Sequence, residues 1–99
     1  MEDKFTYRVE DKDSWRVLHL VGRIDGVTAP KAQEAANAAL ADAANLAADM
    51  TELKYISSAG LRVFLRVEQA ASKAGKKLVF CGVQGIVKDV LRESGMAML

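Results

Sequence analysis

Ser57 and Ser58 stand side by side in Tyr55-Ile56-Ser57-Ser58-Ala59-Gly60-Leu61-Arg62-Val63, with a glycine two positions after Ser58 and a cation four positions after it. A hydroxyl in such a place has two ordinary uses. It can satisfy the orphan N–H groups of a helix's first turn. It can also attack as a nucleophile, provided a base lies within hydrogen-bond reach. The second use is poorly served, because His19 is the sole histidine and no G-x-S-x-G sequence marks a nucleophile elbow. A lone histidine builds no metal site either, and His19 reads as a structural strand residue. Cys81 is the one cysteine, so it can neither close an intrachain disulfide nor hold a metal alone. It reads as a small core residue. No cofactor or metal is expected.

The elements that must position these side chains follow from periodicity. Phe5 to Glu10 alternates apolar and polar, the pattern of a half-buried strand. Asp11-Lys12-Asp13-Ser14 is a turn cluster, and Trp15 to Val21 a second strand ending at Gly22, so the pair predicts a hairpin. Gly22-Arg23-Ile24-Asp25-Gly26 then leads away from the sheet. Thr28 as cap and Pro30 in the first turn open an Ala-rich helix running to about Asn45. Leu46 to Met50 is expected to be a short buried strand. After it, Gly60, Val63, Phe64, Val67, Ala70, Ala71 and Ala74 make one helical stripe, with Arg62, Arg66, Gln69 and Lys73 on a polar side. The basic face of Arg62, Arg66 and Lys73 reads first as a solvated face and second as one that meets an acidic partner surface. Gly75 ends that helix. Leu78 to Val83 is continuously apolar and predicts a central strand buried on both faces. The last helix, from about Gly85 to Ser94, turns Ile86, Val87, Val90 and Leu91 inward; Gly95 caps it and Met96 folds back on its last turn.

The order is β-β-α-β-α-β-α: an α/β domain with a small mixed sheet, parallel pairs joined by crossovers, and helices packed on it. Ninety-nine residues suffice for one domain, 1–99. With 51% hydrophobic and 27% charged residues, the chain is an ordinary globular one rather than a disordered one. Fourteen Lys and Arg against 13 Asp and Glu leave a net charge of +1, which gives nucleic acid no net attraction. No apolar run approaches the roughly 18 residues of a membrane span. The polar start MEDKFTYRVEDKDS has no secretory-signal pattern, so a cytoplasmic location is expected.

Three features together resemble the STAS domain family, in particular its bacterial anti-sigma factor antagonists. They are Asp49 closing a strand, Tyr55-Ile56-Ser57-Ser58-Ala59-Gly60-Leu61-Arg62-Val63 opening a helix, and Gly22-Arg23-Ile24-Asp25 after the second strand. The resemblance covers nearly the whole chain. It implies a STAS-like fold and a binding module rather than an enzyme. It implies that Ser58, two positions before Gly60, is phosphorylated by a partner anti-sigma factor that is itself a protein serine kinase. The unphosphorylated form would bind that kinase and free the sigma factor; the phosphorylated form would let go until a PP2C-type phosphatase restores it. Ser57 stands where many relatives have an acidic residue and is the less favoured acceptor. Asp25, Ser57, Ser58, Gly60, Leu61 and Arg62 would make the partner-binding surface, with Asp25 an ordinary turn aspartate or a group that helps place a partner's magnesium or lysine. The other function the resemblance allows is an adaptor that is never phosphorylated, as in a lipid-transport ABC complex or a stress-signalling assembly.

Overall fold

The computed structural model describes residues 4–95. Strands β1 (Thr6–Lys12) and β2 (Trp15–Ile24) pair antiparallel, from Thr6 opposite Val21 to Lys12 opposite Trp15. Asp13 closes the hairpin in the left-handed region at φ 57°, a conformation that Asp tolerates better than most residues. Both strands outrun the sequence expectation. β2 continues through Gly22, whose φ of 100° and close approach to the Lys4 carbonyl demand glycine, and ends at Ile24. Residues 22–24 therefore belong to the sheet.

Helix α1 (Ala29–Ala41) stops short of Asn45. Its buried face is almost all alanine (Ala32, Ala35, Ala36, Ala39), which brings the helix backbone close to its neighbours. Strand β3 (Asn45–Ile56) runs parallel to β2 and extends well past Met50, where the sequence expectation ended it. The register of the pair shifts between His19 and Val21 and again after Gly22. That irregularity breaks the two-residue period, and so Thr51 to Lys54 does not read as strand.

Helix α2 (Ser58–Lys73) buries Gly60, Val63, Phe64, Val67 and Ala71, as its stripe predicts, while Ala70 and Ala74 are exposed. The Phe64 ring meets Phe80 edge-on at 5.6 Å. Gly75, at φ 71°, ends the helix as expected. Strand β4 (Lys77–Cys81) pairs parallel with β3, and the sheet order is β1-β2-β3-β4. β4 is thus an edge strand and not a central one. Its apolar run has a different cause: Leu78 and Phe80 face the helices, whereas Val79 and Cys81 alternate onto the opposite face and are only half-buried. Cys81 accordingly lies outside the core. In helix α3 (Gly85–Glu93), Val87 and Leu91 are buried and Val90 packs partly against the core, but Ile86 is exposed. Gly95 ends that helix; Met96 lies outside the described residues.

One core cluster joins Leu18, Leu20, Leu46, Met50, Leu78 and Phe80 of the sheet to residues of all three helices. The opposite sheet face carries Val17, His19, Val21, Ala47, Asp49, Val79 and Cys81, none of which belongs to that cluster.

Candidate functional site

Ile24 and Ile56 are register partners, so the parallel strands β2 and β3 end together and each hands the chain to a helix at the same edge of the sheet. The Ser57 N–H donates to the Ile24 carbonyl at 2.9 Å, which ties the two strand-to-helix loops to one another. Openings outside the carboxyl ends of parallel strands are the usual binding places of α/β sheets.

The first loop is stabilised from within. The Asp25 carboxylate accepts from the backbone N–H groups of Val27 (3.0 Å) and Thr28 (3.1 Å). The Thr28 hydroxyl accepts from the Asp25 N–H and donates to the Arg23 carbonyl, both at 2.9 Å. Thr28 therefore braces the loop and makes no side-chain cap of α1, contrary to the sequence expectation. The Thr28 backbone N–H foremost, then that of Val27, the Thr28 hydroxyl and the nearby Arg23 charge, hold the Asp25 carboxyl below the usual carboxylate range despite partial burial. Arg23 lies with its Nε 3.6 Å from Asp25 Oδ2 and its guanidinium 4.3 Å from the centre of the Tyr55 ring.

In the second loop Ser57 is extended (φ −93°, ψ 178°) and its Oγ accepts from the Gly60 N–H at 3.4 Å, the N-cap geometry of α2. Gly60 is required by packing. A Cβ there would lie 2.7 Å from Ile56 Cγ1, 2.8 Å from Ile24 Cγ2 and 2.9 Å from the Ile24 carbonyl oxygen. Ser58 is the first residue of the helix, is exposed, and its hydroxyl has no hydrogen-bond partner among the described residues.

Of the residues expected at a partner surface, Ser58 and Arg62 are exposed one helical turn apart, and Asp25 and Ser57 are half-buried beside them. Gly60 is buried and Leu61 packs partly against the core, so these two shape the surface from beneath. Sequence reasoning passed over Gly26 and Gln33 and read Arg66 first as part of a solvated face, with contact to an acidic partner as the second reading. The structure brings all three together with Arg62 in a groove between α1 and α2. The signal was weak: the glutamine and the arginine are 33 positions apart, and only the side-by-side helices join them.

His19 lies elsewhere. Its Nδ1 is 2.7 Å from Asp49 Oδ2 and its Nε2 is 2.9 Å from Glu10 Oε1, on the sheet face away from the core. Asp49 Oδ1 also accepts from the Thr51 hydroxyl (2.6 Å) and N–H (3.0 Å). Burial works to raise the Asp49 carboxyl, but the Thr51 hydrogen bonds and His19 outweigh it and hold the group below its ordinary value. His19 is five residues back along β2 from Ile24, about 16 Å at roughly 3.3 Å per residue. That is far outside reach of Ser58.

The family model of the STAS domain matches residues 6–99. No curated protein matches the chain in sequence. Among solved structures, an anti-sigma factor antagonist from Mycobacterium paratuberculosis is 26% identical, with a TM-score of 0.86 over 96% of this chain and 81% of that one. The anti-sigma factor antagonist SpoIIAA in its unphosphorylated form is 15% identical, with a TM-score of 0.79 over 95% of this chain and 86% of that one. The Bacillus cell fate determinant SpoIIAA in its phosphorylated form is 14% identical, with a TM-score of 0.77 over 95% and 89%.

Proposed function

The chain belongs to the STAS domain family, and on that premise we propose that it is an anti-sigma factor antagonist switched by phosphorylation of Ser58. Residues 1–99 act as one STAS-like domain. Unphosphorylated, it binds a cytoplasmic anti-sigma factor of the serine-kinase type; phosphorylated, it is released until a PP2C-type phosphatase removes the group. The observation that carries the reading is the contrast between neighbours: Ser57 caps the helix, and Ser58 is exposed with no hydrogen-bond partner among the described residues.

The energetics favour a switch of binding over a switch of fold. A phosphate on Ser58 would sit at the N-terminus of α2, where the dipole and free N–H groups favour an anion by about 0.3–1 kcal/mol. The scaffold therefore tolerates it. The same group brings roughly −1.5 to −2 charges into a docked contact, where an unpaired buried charge costs several kcal/mol. A loss of about 3 kcal/mol is roughly a hundredfold in affinity. Support for an unchanged scaffold comes from SpoIIAA, whose unphosphorylated and phosphorylated forms match this chain almost equally, at TM-scores of 0.79 and 0.77. A non-enzymatic role is supported by His19, the sole histidine, which is engaged by two carboxylates and remote from Ser58. No helix among the described residues is long and apolar enough to cross a membrane.

The test is incubation of the purified chain with ATP and each serine-kinase anti-sigma factor encoded in its genome, read by intact mass. One added phosphate that is lost in Ser58→Ala and kept in Ser57→Ala is the expected result. No phosphate from any of these kinases would overturn the switch in favour of the unphosphorylated adaptor.

A further inference from the structure

Beside Ser58, the first turns of α1 and α2 enclose a groove of about 290 Å³. Its apolar side is formed by Ala29, Pro30, Ala59 and Val63, and its polar side by Gln33, Arg62 and Arg66. Small residues at both helix starts leave the space open. No carboxylate lines it, and neither arginine has an ion-pair partner among the described residues. Arg66 is steadied across the groove by Gln33, whose Oε1 lies 3.4 Å from Nη1. Val27, next to Gly26 at the mouth, is 88% exposed, the most exposed large apolar side chain described.

A merely solvated basic face needs no apolar floor, and an enclosed ligand would find no lid here. Two cations over apolar ground, with an exposed valine at the edge, suit an acidic segment that also offers an apolar side chain. We propose that the α1–α2 groove seats such a segment of the partner protein, its carboxylates on Arg62 and Arg66 and its apolar residue over Ala29, Pro30, Ala59 and Val63. Arginine forks bind carboxylates in two-point fashion, and aligned charges of this kind govern association rate and partner choice. Arg62 is four residues after Ser58, hence on the same side of the helix. A phosphate on Ser58 would compete with the partner's carboxylates for that guanidinium, which gives release a local electrostatic cause. This last step deepens the proposed function and rests on it; the groove itself does not.

Gly26 offers the probe position. It lines the groove, its backbone is not left-handed, and a Cβ there would meet nothing within 4 Å. The photo-crosslinking residue p-benzoylphenylalanine is placed at Gly26, or at exposed Lys88 of α3 as control, and the chain is irradiated in its native cells. The expected result is an adduct from Gly26 alone, whose mapped attachment lies in a segment carrying Asp or Glu around an apolar residue. Its yield should fall about tenfold or more with Arg62→Glu and Arg66→Glu together. The milder pair Arg62→Gln and Arg66→Gln serves if the reversal fails to fold. No Gly26 adduct, attachment in an uncharged or basic segment, or a yield indifferent to both pairs overturns the proposal. An arginine-dependent adduct with a protein that never phosphorylates Ser58 leaves the groove standing and removes the switch. Phosphorylation of Ser58 with an arginine-independent adduct does the reverse.

Discussion

Two clusters of polar side chains on the same pair of parallel strands are organised in opposite ways. Where β2 and β3 end, the side chains of the two loops bond backbone N–H groups of their own loop, Asp25 those of Val27 and Thr28 and Ser57 that of Gly60, and the Ser57 N–H ties one loop to the other through the Ile24 carbonyl. One exposed hydroxyl, Ser58, is left over. Midway along the strands, on the face away from the helices, Glu10, His19, Asp49 and Thr51 bond one another in a continuous chain. Nothing titratable in that chain is left without a partner. A reactive-looking histidine and two carboxylates thus hold β1, β2 and β3 together, while at the strand ends a plain serine hydroxyl is left open to chemistry. Availability is made by the neighbours that are already satisfied.

The comparison breaks most visibly if the site end is not held by packing. Gly60→Val forces branched carbon against Ile24 and Ile56, where even a Cβ lies within 2.7–2.9 Å of three atoms. Overpacking of this kind costs about 3 kcal/mol. Since 1 kcal/mol moves the midpoint by roughly 4–8 °C in a domain of this size, thermal unfolding should show a fall of well over 10 °C. Loss of partner binding should accompany it. A variant that melts like the parent would mean that the tight seating of α2 on the strand ends is not what positions Ser58.

His19→Ala tests the other cluster. It removes hydrogen bonds to two carboxylates, and bonds to charged groups contribute about 1.5–3 kcal/mol. Glu10 is exposed and regains water readily, so the expected loss is about 2 kcal/mol, read from urea midpoints at constant m. Phosphorylation of Ser58 should be unaffected; if it fails while the fold persists, the two clusters are coupled. The same cluster sets a pH dependence. Asp49 and Glu10 titrate below their ordinary values when folded, Glu10 chiefly through the His19 hydrogen bond. Their contribution is therefore present above the unfolded-state value of roughly pH 4 and lost as pH falls through the folded values. Asp49→Asn should flatten part of that acid limb; Asp25, shifted the same way, retains some of it.

How much of this was legible in the residues follows the same division. The α2 stripe, the hairpin, the element order and the serine-glycine loop could be read because local periodicity and capping chemistry determine them. The second half of β3 could not, because the register shift after His19 interrupts alternation and puts the polar Thr51 and Glu52 side by side before the buried Leu53. The position of β4 at the edge is likewise invisible in the apolar run from Leu78 to Val83, since edge and centre differ by what lies alongside. His19 was recognisably structural, but its two partners come from strands nine residues before it and thirty after it. The α1–α2 groove shares that difficulty: only the fold brings Gln33 to Arg66.

The smallest expected effects draw the sharpest line, because they separate two adjacent residues of the same type. Ser57→Ala removes the acceptor for the Gly60 N–H at the start of α2. Loss of such a cap costs about 1 kcal/mol, while the acceptor of phosphate, one residue on, remains. Ser58→Ala removes a hydroxyl with no partner among the described residues from an exposed first-turn position, so stability should stay within about 0.5 kcal/mol. It also replaces serine by the best helix former, which favours the unchanged or slightly raised midpoint. Side by side in one denaturation series, the two variants should therefore order oppositely in stability and in phosphorylation: Ser57→Ala weaker and still modified, Ser58→Ala as firm as the parent and silent. The reverse ordering would make Ser58 the cap and Ser57 the acceptor, and with it the Arg62 side of the helix would lose its claim on the phosphate.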